Sequence, residues 1–285
     1  MKLLVLYPAG FTTNEIDPDY LFECEIAKTA DIQTIFFNYD AYIMGERLKL
    51  FGNLVNAADY VAIYRGWMMK PEKYRQFYND LSDKGISLIN SPEEYCNCHM
   101  FPYSYNKLQN LTPKTLIFPE NEEIDWDSVR CTFDRFMIKD FVKSVKGFGF
   151  PEYLTSEMSN AELDQYVLKF KNLRDELFTG GIVLKQYVEL DRIGGHTHEF
   201  RAFYVKGQLA TIYQNSDNKE DDVPEDVLNN KELCLLNSNF YTIDFARTTN
   251  GKYIVIETGD GQVSGLPSET EAELLYTELQ HLFWG

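Results

Sequence analysis

The chain is poor in the features that staple or anchor a protein. Its 285 residues include only five cysteines, Cys24, Cys96, Cys98, Cys131 and Cys234. The number is odd and no two stand as C-x-x-C, so a disulfide framework is not expected and a reducing cytoplasm is the default setting. No apolar run approaches the roughly 18 residues of a membrane span. The opening run Lys2–Tyr7 is too short for a signal peptide and meets Pro8 at once. Basic residues are scarce too: 27 Lys and Arg against 44 Asp and Glu leave a formal net charge of −17. Such a surface repels phosphate backbones and anionic lipid, which argues against nucleic acid or a membrane as main partner. There is no internal repeat, no G-x-x-x-x-G-K-[ST] loop and no Ser-His-Asp or Cys-His signature.

What is present is a hydrophobic fraction of 44%, enough for a packed core, and an aromatic fraction of 15%, which suits sheet cores and pockets for flat ligands. The first part alternates strand and helix. Lys2–Tyr7, Thr34–Phe37, Asp59–Tyr64 and Ile86–Ile89 read as strands, with helices over 18–30 and 71–84, which predicts an α/β domain with a parallel sheet. Ser91-Pro92-Glu93-Glu94 is a capping box opening a helix that breaks near Pro102 and ends at Thr112-Pro113. A domain boundary is placed there, giving 1–112 and 113–285, with the second part divided near residue 185. After it come a strand at Arg135–Phe141, a helix opened by Ser159 and Glu162, and crowded strands at Ile182–Val188, Glu199–Val205, Gln208–Gln214, Tyr241–Ala246 and Tyr253–Glu257. Ser268 and Glu271 open a last helix. Strands in runs indicate an α+β, mainly antiparallel domain. Lys206-Gly207 reads as a tight turn, and the acidic stretch Asp217–Asp226 as a solvated loop.

Asn250-Gly251, between two strands, is a strong signal for a two-residue hairpin turn. That register places Asp244 directly opposite Glu257, with Ile243, Phe245, Ile254 and Ile256 on the other, apolar face. Like charges facing each other across a sheet destabilise it unless a proton is shared or a cation bound. Two carboxylates suit Mg²⁺, which also takes phosphate oxygens. The glycines that follow, Gly259, Gly261 and Gly265, resemble a dinucleotide loop only superficially: the strand is the second arm of a hairpin, and the helix starts after Pro267.

Lysines stand on or just beyond strands at Lys139, Lys143, Lys146 and Lys185, the middle two beside a glycine-containing loop. Glu199 and Arg201 share a strand face, and Arg201 suits a bidentate phosphate contact or a cross-strand ion pair. Arg65, at a strand end of the first domain, and Arg247, just past Asp244, are candidates for a substrate carboxylate, with a structural ion pair the equal reading for Arg65. Cys96-Asn97-Cys98-His99 has no second cluster close in sequence and reads as core or helix surface. Gly194-Gly195-His196-Thr197-His198 reads as a loop next to a ligand.

The ordered set of these stretches, "IKDFVKS", "EFRAF" and "ETGDGQVSG", with Tyr64-Arg65-Gly66-Trp67 and Ser91–Tyr95 earlier, resembles the ATP-grasp superfamily and a small clade within it. The resemblance covers most of the chain. It implies an ATP-grasp fold with an N-terminal Rossmann-like domain, ATP held between two subdomains, and Mg²⁺. By that resemblance Lys139 and Lys185 contact the nucleotide, and Lys143 and Lys146 lie on or near the phosphate loop. Gln186, Tyr187 and Val188 form the linker that reads adenine. Glu189 or Asp191 reaches the ribose, as Glu199 does unless it supports the metal. Arg201 holds phosphate oxygens in the transition state, and Asp244 and Glu257 bind Mg²⁺. Family members with Glu-x-Asn supply a third ligand where this chain has Gly259, leaving Asp260 or Gln262 as the substitute. The implied activity is ligation of a small-molecule or peptide carboxylate to an amine through an acyl phosphate. The alternatives are a nucleotide-binding module without ligation and an ATP-dependent phosphotransferase.

Overall fold

The computed structural model describes residues 2–10, 15–54, 56–145, 147, 149–214 and 223–284. The first unit is an α/β/α sandwich. Its sheet holds Lys2–Pro8 (β1), Gln33–Phe37 (β2), Leu50–Phe51 (β3), Tyr60–Tyr64 (β4) and Ser87–Leu88 (β5), in the order β3-β2-β1-β4-β5. Every pairing is parallel except that of the edge strand β3 with β2. β1 is an unbroken apolar run because both its faces are covered. Leu3, Val5 and Tyr7 pack with Leu21–Thr29 (α1), whereas Leu4 and Leu6 pack with Tyr39–Ile43 (α2) and Pro71–Ser82 (α3).

Pro92–His99 (α4) opens on its capping box: the Ser91 hydroxyl accepts from Glu94 N–H, and the Glu94 carboxylate accepts from Ser91 N–H. The helix stops at Met100 and restarts as Phe101–Leu108 (α5), with Pro102 in the first turn, where a missing N–H costs nothing. A second sheet follows, made of Thr115–Pro119 (β6), Arg135–Lys139 (β7), Leu154–Thr155 (β8) and Gly181–Gln186 (β9), all antiparallel in the order β6-β9-β7-β8. Trp126–Thr132 (α6) and Asn160–Arg174 (α7) cover one of its faces.

A short hairpin, Arg192–Ile193 (β10) with His196–Thr197 (β11), leads into the third sheet. This sheet holds Glu199–Val205 (β12), Gln208–Gln214 (β13), Phe240–Arg247 (β14) and Tyr253–Asp260 (β15), antiparallel in the order β13-β12-β14-β15. Lys206 and Gly207 both take positive φ, 50° and 77°, as a two-residue hairpin turn requires. Leu108 of α5 and Leu228 of Glu225–Leu228 (α8) lie in the core on one face of this sheet. Of the acidic stretch expected as a loop, residues 217–222 lie outside the described residues, and its end forms the start of α8. The last helix, Glu269–Trp284 (α9), buries Ala272, Leu275, Tyr276 and Leu279, one face at helical spacing, against the first sheet and β12 and β13. Tyr276 and Tyr7 share a hydroxyl–hydroxyl hydrogen bond, so the C-terminal helix ties the third sheet back to the first.

The β14–β15 hairpin corrects one expectation while keeping its result. Asp244 does pair with Glu257, yet the loop holds three residues, Thr249, Asn250 and Gly251, closed by Thr248 N–H donating to Lys252 O at 2.9 Å. Gly251 alone of the three has positive φ, 82°, as in a three-residue loop. An irregularity between Asp244 and Phe245, opposite Ile256, adds a residue to β15 and restores the register. The two departures cancel at Glu257 but not in between. Val255, not Ile254 and Ile256, faces the core with Phe245, and the two isoleucines point into a cleft.

Candidate active site

Between the second and third sheets lies a cleft of about 450 Å³. Lys139, Lys185, Gln186, Tyr187, Val188, Glu189, Glu199 and Glu257 line it, with Met137, Ile254 and Ile256 as apolar walls and His196 and Thr197 of the short hairpin at its rim. Antiparallel pairing explains how two lysines far apart in sequence meet: Met137 faces Lys185, and Lys139 faces Val183, on adjacent strands. Their ammonium groups sit 4.7 and 4.8 Å from the centre of the Phe101 ring, a cation–π platform supplied by the start of α5. Lys139 Nζ donates to Glu257 Oε1 at 3.3 Å, and Lys185 Nζ to Ile256 O at 2.6 Å. Burial, then the neighbouring Lys139 ammonium, pushes Lys185 down to about 7 against the pull of Glu257.

Lys143 stands at the end of the strand-to-loop turn, with Nζ 3.4 Å from Glu257 Oε2. Burial by itself would raise the Glu257 carboxyl, but Lys139 and Lys143 outweigh it and hold the group down at about 2. Across the third sheet a row forms on the same face. Arg201 on β12 is directly opposite Asp244 on β14, which is directly opposite Glu257 on β15. Arg201 grips Asp244 with two bonds of 2.8 Å. Burial would lower the guanidinium's pKa, and those bonds raise it above its ordinary value instead. The facing carboxylates are therefore tolerated because each has its own side-chain cation.

On the linker, Gln186 and Tyr187 give their N–H groups to Lys114 O and Arg135 O at 2.8 and 2.9 Å. Val188 N–H has no such partner among the described residues. Glu189 is drawn aside by Arg135 at 2.7 Å, and Glu199 accepts from Thr197 Oγ1 at 2.5 Å. Asp191 and Arg247 do not line the cleft; their charged groups stand 3.7 Å apart. Lys146 lies outside the described residues.

Three candidates prove to be structural. Asp260 and Thr258 project to the face of β15 opposite Glu257, because side chains alternate along a strand. Asp260 is fully buried, and its carboxylate accepts from Asn90 Nδ2, Gln262 N and Gln262 Nε2. Gln262, also fully buried, accepts from Tyr64 N at 3.1 Å and donates to Tyr74 Oη at 2.7 Å. Neither reaches the Asp244–Glu257 face, so neither replaces the third metal ligand. Arg65 is 1% exposed, bound by Glu23 through two bonds of 2.8 Å and donating to Gly261 O. It fastens the first unit to the end of β15 and has no opening for a substrate carboxylate.

Gly259 and Gly261 serve packing rather than turning. A Cβ on Gly259 would stand 2.8 Å from Thr242 Oγ1 and 2.9 Å from Ser264 Oγ, and one on Gly261 would stand 2.6 Å from the Phe240 ring. Among the described residues no cluster of three or more His, Cys, Asp or Glu side chains is arranged to hold a metal. Two facing carboxylates beside a basic cleft nonetheless fit Mg²⁺, which is commonly bound by one or two carboxylates together with substrate phosphates.

A family model described as "ATP-grasp domain, R2K clade family 3" matches residues 130–279. The chain belongs to this ATP-grasp family. No curated protein matches the sequence. Among solved structures, the ATP-grasp chain is similar to the D-cycloserine synthetase DcsG, at 14% identity over 98% of this chain and 99% of that one, with a TM-score of 0.64. It is similar to the D-alanine–D-alanine ligase from Coxiella burnetii, at 10% identity over 99% and 95%, TM-score 0.64. It is also similar to the ATP-grasp ligase PsnB, at 10% identity over 98% and 100%, TM-score 0.58. At such identities the likeness establishes the shared fold across nearly the whole ATP-grasp chain.

One feature of the site was missed in the sequence. Phe101, beneath both lysines, follows the break at Met100, and that break was the available signal. His99, read as core or helix surface, belongs to the core. It is 6% exposed at the end of α4, with its ring 4.7 Å from that of Tyr95. Burial, then Lys143, holds its imidazole down at about 3 against the opposing pull of Glu257.

Proposed function

We propose that the chain is an ATP- and Mg²⁺-dependent carboxylate–amine ligase that works through an acyl phosphate. The observation that carries this reading is the convergence of Lys139, Lys185 and Glu257 at one end of a cleft whose other end is apolar, with Lys143 held by Glu257 and the Arg201–Asp244 pair next to Glu257 across the sheet. Adenine lies against Met137, Ile254 and Ile256 and is read by the open N–H of Val188. Lys139 and Lys185 hold the phosphates, and Lys143 reaches them from the loop side. Asp244 and Glu257 hold Mg²⁺, which neutralises phosphate charge and orients the transferred group. Phosphate oxygens compete with Asp244 for Arg201, whose planar fork suits them. A substrate carboxylate oxygen attacks the γ-phosphorus as ADP leaves. An amine nitrogen then attacks the acyl carbon, with phosphate as leaving group. Positioning and charge neutralisation supply the rate, so no enzyme nucleophile is needed.

The likeness to DcsG, to D-alanine–D-alanine ligase and to PsnB, solved with a minimal precursor, supports ligation of amino-acid-like or peptide substrates. A second reading, a nucleotide-binding module without turnover, is favoured by Gly259 and by the hydroxyls of Thr242 and Ser264 that close off the place of a third ligand. ADP release, screened over pairs of small carboxylates or peptides with amines, separates the two. Release that requires both substrates supports the ligase, and tight MgATP binding with no release over the whole panel supports the module. A phosphorylated acid without condensation marks a phosphotransferase.

A further inference from the structure

Asp140 follows Lys139 directly, and the mechanism above leaves it unused. It is fully buried and does not line the cleft. A carboxylate taken out of water is costly unless its oxygens are met, and its partners here lie on one turn and one helix. Oδ1 accepts from the N–H groups of Val142 and Lys143 at 2.7 and 2.6 Å, as an aspartate at the head of a turn does. Oδ2 accepts from Arg174 Nε, in the last turn of α7, at 2.8 Å. Asp140 N–H donates to Lys143 O at 2.9 Å, and Lys139 bridges to Ser144, so the chain doubles back at once after β7. Phe141, inside the turn, donates its N–H to Thr179 O at 3.1 Å and accepts from Phe101 N–H at 2.7 Å.

Resting on the ATP site proposed above, we infer that Asp140, latched by Arg174, is a positioning residue that aims the Lys143 ammonium group at the phosphates. On an extended strand Lys139 and Lys143 would stand roughly 13 Å apart. The turn that Asp140 holds brings them together instead. Lys139 Nζ meets Glu257 Oε1 at 3.3 Å, and Lys143 Nζ meets Oε2 of the same carboxylate at 3.4 Å. Lys139 is fixed by its strand and by the Phe101 ring. Lys143 is half-buried and has no such platform among the described residues, so the backbone that carries it sets where its ammonium group reaches. A group placed before the ligand arrives loses less freedom on binding it. The same helix holds the loop further on, where Lys169 Nζ donates to Gly149 O at 2.7 Å. α7 is thus the seat of the basic loop, and Asp140 joins that seat to Lys143.

The test is a double-variant cycle, read as Mg²⁺-dependent binding of a non-hydrolysable ATP analogue to the full chain. Lys143→Met and Asp140→Ala are each expected to weaken the analogue about tenfold, the effect of a lost bond to a charged group. Because Asp140 acts through Lys143, adding Asp140→Ala to Lys143→Met should cost less than about a further twofold. Combined with Lys185→Met, on another strand, the two losses should multiply. Arg174→Met leaves both turn bonds in place and covers the case in which the alanine variant does not fold. It is expected to weaken the analogue about threefold, and only while Lys143 is present. Losses that multiply in the Lys143→Met background, or that fail to multiply in the Lys185→Met background, overturn the inference. So does a Lys143→Met chain of undiminished affinity, and so do Asp140→Ala and Arg174→Met chains that bind as tightly as the wild type. A wild-type chain that binds no analogue fails the ATP reading itself, which is a distinct result.

Discussion

Two charged regions flank β15, one on each face, and they differ in what their groups can still do. On the cleft face, Lys139, Lys143 and Lys185 meet Glu257 and the Ile256 carbonyl, in part through ammonium–carboxylate contacts of 3.3 and 3.4 Å, and the Lys143 side chain is 38% exposed. These contacts can be exchanged for those of an incoming anion. On the opposite face and beyond the strand, Asp260, Gln262, Asn90 and Arg65 are buried in bonds that run back to the first unit, and each acceptor is met by a fixed donor. The same residue types make a binding site where partners are exchangeable and a fastening where they are saturated.

Breaking the first region should abolish chemistry while sparing the fold. Glu257→Gln or Lys139→Met is expected to lower ATP turnover by about 100-fold or more, with a circular dichroism spectrum like that of the wild type. Turnover within a few-fold of wild type in both variants removes these residues from the site. Breaking the second should do the reverse. Asp260→Ala strands three donors and is expected to cost about 3 kcal/mol, a fall in Tm of roughly 5–10 °C. MgATP affinity, measured where the variant is folded, should stay within about threefold. A thermal scan that shows no loss contradicts the fastening role.

Lys185 sharpens the contrast through pH. Its native pKa, about 7, lies below its ordinary value of 10.5. Between those two values the unfolded chain keeps a proton that the native chain has released, so this group's contribution to stability grows as pH rises from 7 towards 10.5. Polyphosphate favours the charged form. ATP binding at pH 8 should therefore take up close to one proton, read from calorimetry in buffers of different ionisation enthalpy, and Lys185→Met should abolish the uptake. The smallest effect concerns packing: Gly259→Ala meets Thr242 Oγ1 and Ser264 Oγ and should cost about 1–2 kcal/mol, without changing proton uptake.

Local chemistry made much of this legible. The capping boxes at Ser91 and Ser159, the break near Pro102 and the turn at Lys206-Gly207 need only a few neighbouring residues, and all appear. The Asp244–Glu257 pair was also legible, although a longer loop and a compensating irregularity at Ile256 produce it. The short strands β3, β6 and β8 were not, because β3 and β8 are two residues long and β6 is a five-residue strand closed by Pro119. Such strands are defined by what they pair with. Asp260 and Gln262 misled for a related reason. Their residue types suit catalysis, and only the return of the first unit and α9 onto the third sheet shows that their partners are already supplied. Phe101 was missed because α5 reaches the two lysines only through tertiary packing.

The cleft between the second and third sheets is the proposed ATP site. Calorimetric titration of MgATP into the wild type and Lys139→Met, in one buffer at one temperature, tests this most directly. One site per chain in the wild type, requiring Mg²⁺ and weakened at least tenfold in the variant, is the predicted result. A wild-type chain that takes up no MgATP, or a Lys139→Met variant that binds it as tightly as the wild type, would contradict it.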